Sequence, residues 1–138
     1  MSVSLEEEYS PSPNESFMNN RQQDYFRQKL LDWRASILRE SRETLTSLQE
    51  GGIKESDVAD RASTETDWSL ELRTRDRQRK LISKIDAALR RIDEGTYGYC
   101  EVTGEAISIE RLNARPIATL SIEAQERHEQ MEKVHRDD

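Results

Sequence analysis

The chain has 138 residues, 33% of them hydrophobic and 36% charged, with a mean hydropathy of −0.96. That balance is too polar for a thick globular core and too rich in periodic Leu and Ile for a wholly disordered chain, so long solvated helices meeting along a narrow seam are expected. A net charge of −7 argues against nonspecific DNA binding, a single cysteine excludes an intrachain disulfide, and no apolar run approaches the roughly 18 residues of a membrane span.

Residues 1–18 hold Glu6-Glu7-Glu8 and Ser10-Pro11-Ser12-Pro13-Asn14, with little to bury, and read as a flexible N-terminal tail. The N-terminus lacks the basic-then-apolar pattern of a signal peptide, so a soluble cytoplasmic protein is expected.

A helical hairpin is expected over 19–94. Phe26, Leu30, Trp33 and Ile37 recur at helical spacing from about Asn19, and Leu45 and Leu48 continue the stripe. Gly51-Gly52 should end this first helix. At about 30 residues it would span roughly 45 Å, longer than so small a domain accommodates, so it should project outward, with its start packing on the body. The second helix should begin near Asp57 or Asp60, with Ser56 or Asp57 as cap, and run to Asp93. Trp68, Leu70 and Leu72, then Ile82, Ile85, Leu89 and Ile92, supply its apolar positions. The tip, about 51–62, carries Asp57-x-x-Asp60-x-Ala62. Between the apolar stretches lies Arg73-Thr74-Arg75-Asp76-Arg77-Gln78-Arg79-Lys80, five bases and one acid in eight positions. A solvated face is one reading of this run. A partner bearing acidic or phosphate groups is the other, because the bases lie nearly all round the helix.

A small body is expected over 95–121. Two glycines and Tyr97 and Tyr99 change the texture from helix to turn, and Ile107-x-Ile109 alternates as a short strand would. A charged C-terminal helix should occupy 122–138, with Ile122, Ala124 and Met131 as its buried candidates. A turn before a strand and a turn into a helix are where zinc ribbons place two Cys-x-x-Cys pairs. Here those four positions read Cys100, Thr103, Ser121 and Ala124, and one thiolate cannot hold structural zinc. His128 and His135 do not restore a ligand set and read as exposed helix residues. Packing by Tyr97, Tyr99, Ile107, Ile109, Leu112, Ile117 and Leu120 must then replace the metal. Cys100 reads as a buried or half-buried thiol; as a redox sensor it would lack a resolving partner in the chain.

The runs Asp57-Val58-Ala59-Asp60-Arg61-Ala62, Trp68 to Arg77, Tyr97-Gly98-Tyr99-Cys100-Glu101 and Arg111-Leu112-Asn113-Ala114-Arg115-Pro116 resemble the DksA family over roughly residues 20–135. The Cys, Thr, Ser, Ala set is similar to the zinc-independent, single-cysteine DksA proteins. The resemblance implies a mainly α fold: a long antiparallel coiled-coil hairpin, a small zinc-finger-like globular body lacking the zinc ligands, and a C-terminal helix. It implies a monomer that inserts its tip into the secondary channel of bacterial RNA polymerase, without reading DNA sequence. With ppGpp as effector and no tightly bound cofactor, such proteins repress ribosomal RNA promoters and activate amino-acid biosynthesis promoters in the stringent response.

By the same resemblance, Asp57, Asp60 and Ala62 form the tip motif that the activity needs. Arg75, Arg77 and Lys80 meet the channel rim of the largest subunit. Leu81, Lys84 and Arg115 contact ppGpp at the polymerase interface, while Gln125 stands where the family often has a lysine. Two other readings are a Gre-like transcript-cleavage factor, whose tip acids hold Mg²⁺, and a coiled-coil adaptor with no polymerase contact. The Asp-x-x-Asp-x-Ala tip favours neither. No catalytic triad, phosphate-binding glycine loop or metal-binding pair is present, so no enzymatic activity is expected.

Overall fold

The computed structural model describes residues 9–54 and 58–137; the side chains of 48, 50–64, 136 and 137 lie outside that description. Four helices follow in chain order: α1 (Asn20–Lys54), α2 (Val58–Glu94), α3 (Ile109–Ala114) and α4 (Ile122–Asp137). Asn19 starts α1 by accepting from the Gln22 amide at 2.8 Å, which satisfies one of the donors a helix N-terminus leaves free. At 35 and 37 residues, α1 and α2 are each more than about 50 Å long.

The glycine pair does not end α1 as expected from sequence. The helix passes through Gly51-Gly52 to Lys54. A glycine inside a helix costs about 1 kcal/mol, which a helix of this length tolerates. Ser56 and Asp57, read as caps, lie outside the described residues.

Two acid–base pairs establish that α1 and α2 run antiparallel. Arg27 Nη1 meets Asp93 Oδ1 at 2.6 Å, and Arg34 Nε meets Asp86 Oδ1 at 2.7 Å. Seven residues forward on α1 are seven back on α2, the heptad step of a coiled coil. The fold is mainly helical with a long helical hairpin, as the resemblance implied.

The chain divides into two compact units, Leu30–Ala87 and the rest (Met1–Lys29 with Ala88–Asp138). In the first, Leu30, Ile37 and Ile85 are buried, whereas Leu38, Leu70 and Leu72 stay exposed, so the seam is narrow. In the second, Phe26, Ala88, Ile92, Tyr97, Cys100, Ile107, Ile109, Leu112, Ile117, Ala118 and Ala124 form the core. This unit takes in the start of α1 and the end of α2. Residues 9–18, placed in the tail by sequence, also pack here. Pro11 is buried, Phe17 meets Tyr99 edge-on at 5.3 Å, and Gln22, fully buried, donates to the Ser12 carbonyl and accepts from the Met18 amide.

Gly95, at φ +80°, closes α2. Its amide donates to the Ile92 carbonyl, and the Thr96 amide donates back to Arg91, the paired bonds of a Schellman cap. Gly98, at φ +91°, lies in the left-handed region and close to Phe17: an added Cβ would sit 2.9 Å from Phe17 Cζ.

The strand expected at Ile107–Ile109 is absent. A single antiparallel bridge joins Tyr99 to Ala106, and Ser108 then caps α3, its hydroxyl accepting from the Arg111 amide at 3.2 Å. Ile107 and Ile109 are both buried. Their period-two signal comes from one loop residue and one helix residue facing the same core. Three core assignments also change. Tyr99, Ile122 and Met131 are exposed, and among the described side chains of α4 Ala124 is the buried one.

Candidate functional site

The tip motif straddles the boundary of what is described. Asp60 and Ala62 lie in the first two turns of α2, while Asp57 and all three side chains lie outside the described residues. A carboxylate in a first helical turn is favoured by the partial positive charge there.

Farther along α2, Arg75 is half-buried, and Arg77 and Lys80 are exposed. Lys80 pairs with Asp76 at 3.2 Å, and Arg77 donates to the Thr74 hydroxyl. Leu70 and Leu72, 53% and 51% exposed, line an open groove together with Arg73, Asp76 and Arg77. Both leucines are among the apolar positions read from the sequence of α2. Their exposure makes the face mixed apolar and basic.

Leu81 is half-buried and Lys84 exposed, both within Leu30–Ala87. Arg115 belongs to the other unit and is exposed just past the end of α3. Gln125 donates to Glu129 Oε1 along α4, and His128 likewise meets Glu132, as surface helix residues do.

The structure brings the four knuckle positions into one arrangement. Cys100 is 2% exposed. Burial pushes its thiol up, but the Thr103 hydroxyl and the backbone at Ser121, Thr103 and Val102 hydrogen-bond to the sulfur and bring it down to about 6. Thr103 also accepts from the Glu105 amide, and Ser121 caps α4 by accepting from the Ala124 amide at 3.2 Å. The two knuckles are stitched together by the Glu101 amide donating to the Thr119 carbonyl at 2.9 Å.

No spacing or composition signal singles out Asn113. Its Oδ1 accepts from the Tyr25 hydroxyl and from Lys29 Nζ, partners more than eighty residues away. No local pattern encodes such a contact.

Two family models match the chain in succession: the DnaK suppressor protein DksA N-terminal domain over residues 22–92, and the prokaryotic dksA/traR C4-type zinc finger over 95–130. The chain belongs to the DksA family. It is 66% identical to the RNA polymerase-binding transcription factor DksA of Caulobacter vibrioides, over 95% of this chain and 92% of that one. It is 42% identical to the Escherichia coli protein of the same name, over 92% and 84%. Transcription factor DksA2 from Pseudomonas aeruginosa has a similar structure, with a TM-score of 0.80 at 39% identity, covering 96% of this chain and 99% of that one. The DksA family is one of non-enzymatic transcription regulators.

The C4 zinc finger implies four thiolates, and the donor set here does not fit that metal. One knuckle offers a thiol and a hydroxyl already engaged with backbone. The other offers a capping hydroxyl and the methyl group of Ala124, 4% exposed. Zinc in a structural site takes Cys and His ligands in a closed tetrahedron, and hydroxyl and methyl groups do not substitute. Among the described residues, no group of three or more His, Cys, Asp or Glu is placed to hold a metal.

Proposed function

We propose that this chain binds bacterial RNA polymerase in the cytoplasm, presents its 57–62 tip through the secondary channel, and regulates promoters together with ppGpp in the stringent response. The observation that carries this reading is the Asp57-x-x-Asp60-x-Ala62 order at the junction of α1 and α2, in a chain whose relatives are named RNA polymerase-binding transcription factors. Carboxylates at the end of a long hairpin can pair with basic groups of mobile elements near an active site and shift their populations.

The mixed face of α2 supports the docking part. Of the five bases from Arg73 to Lys80, only Lys80 forms an ion pair among the described residues. The others are available to an acidic rim, while Leu70 and Leu72 supply apolar contact. Lys84 and Arg115 are exposed cations suited to a guanosine polyphosphate. Gln125, half-buried on α4, is polar but uncharged at the position of a frequent family lysine. On this reading Lys84 and Arg115 carry the charge complementarity to ppGpp.

The test is transcription with the cognate polymerase in purified form. The protein should inhibit a ribosomal RNA promoter, and ppGpp should deepen that inhibition. Unchanged transcript yield, with and without ppGpp, would reject the reading.

A further inference from the structure

We propose that Tyr25, Lys29 and Asn113 are positioning residues that hold the backbone under Arg115, so that its guanidinium is presented in place to an anionic ligand; the inference rests on the ppGpp reading above. Two ties bracket this arginine. Two residues before it, Asn113 Oδ1 accepts from the Tyr25 hydroxyl at 2.7 Å and from Lys29 Nζ at 2.9 Å. One residue after it, the carbonyl of buried Pro116 accepts from the Tyr97 hydroxyl at 2.8 Å. Between these ties the Arg115 amide donates to the Arg111 carbonyl at 2.7 Å, and the Arg115 carbonyl accepts from the Ala118 amide at 3.0 Å. The main chain at Arg115 is therefore held at every polar group, while the side chain stays exposed.

The chemistry of the tie suits this purpose. An amide oxygen has two lone pairs, and here a neutral and a charged donor take one each, so Asn113 is fixed in orientation. Lys29 leaves its positive charge beside the arginine's segment and not on a competing carboxylate. Tyr25 is itself braced, with Phe26 edge-on at 5.1 Å and Tyr9 edge-on at 5.9 Å, and Arg21 lies 3.9 Å over the Tyr9 ring. The tie thus runs from the N-terminal segment through α1 to the end of α3. A cation held in advance loses less freedom on binding, so affinity rises without a new contact.

Purified full-length variants are titrated with ppGpp in transcription from a ribosomal RNA promoter. Asn113→Ala and Tyr25→Phe should each need about fivefold more ppGpp for half-maximal deepening of inhibition. Both should keep parental inhibition without ppGpp and parental affinity for polymerase. A merely structural role would lower those two quantities along with the ppGpp response. Parental ppGpp dependence in Asn113→Ala, or a parallel fall in ppGpp-free inhibition, would overturn the positioning role. If the parent responds to ppGpp and Arg115→Ala responds equally well, the assignment of Arg115 is wrong and the positioning role falls with it. A parent that ignores ppGpp would overturn the underlying reading instead.

Discussion

Arg34 grips Asp86 through two nitrogens, Nε to Oδ1 at 2.7 Å and Nη2 to Oδ2 at 3.4 Å, and so fixes the register of α1 against α2. The hydrogen bond and charge of Asp86 raise the Arg34 guanidinium above its ordinary value. Both side chains are more than a third exposed, at 36% and 38%. Solvent screening therefore keeps the pair modest, about 0.5–1 kcal/mol. In a double-mutant cycle of Arg34→Ala and Asp86→Ala, the coupling measured by denaturant unfolding should fall in that range and shrink in high salt. Zero coupling at low salt would show that the apolar seam alone sets the register.

The knuckle should fold without metal. Structural zinc contributes on the order of 10 kcal/mol or more to small metal-dependent domains, so stripping a bound ion would lower the melting temperature by tens of degrees. Because Ser121 serves as a helix cap and Ala124 as core packing, incubation with a strong chelator should leave the melting curve unchanged. Metal analysis of the purified protein should find no stoichiometric zinc.

Cys100 should instead make stability depend on pH. Its folded value, about 6, lies below the ordinary thiol value of 9.0, because its burial is outweighed by the hydrogen bonds to the sulfur. Between those values the unfolded chain carries a proton that the folded chain does not, so stability rises with pH across that window and is lost as pH falls toward 6. Below about 6 the thiol is protonated in both states and contributes nothing. Cys100→Ser removes this contribution. The stability difference between parent and variant should therefore grow from pH 6 to pH 9, as read by urea midpoints. A difference constant over that range would contradict the hydrogen-bonded thiolate.

Much of this architecture is legible in the sequence, because helices write their burial at three- and four-residue intervals. Phe26, Leu30, Ile37, Ile85 and Ile92 recur at such intervals, and all are buried. The failures have a common cause. Gly51-Gly52 looked like a stop, but propensity is a weak constraint beside the length of helix on either side. Leu70 and Leu72 are apolar positions of α2, yet two residues apart on a helix they cannot both face one seam, and both are exposed. The docking of residues 9–18 depends on Gln22 reaching the Ser12 carbonyl and on Phe17 meeting Tyr99, contacts that leave no periodic trace. The same is true of Asn113. At the knuckle, spacing picked out Cys100, Thr103, Ser121 and Ala124 as a group. What each does without zinc became visible only from its hydrogen bonds and burial.

In the proposed function, the acids of the Asp57-x-x-Asp60 motif act at a distance from the surfaces that bind polymerase. Its most direct test is Asp60→Asn in purified transcription, alongside a binding measurement on the same polymerase. The substitution removes one charge and keeps the size of the side chain. Undiminished polymerase affinity with loss of ribosomal RNA promoter inhibition is the predicted result. Inhibition equal to that of the parent would contradict the claim.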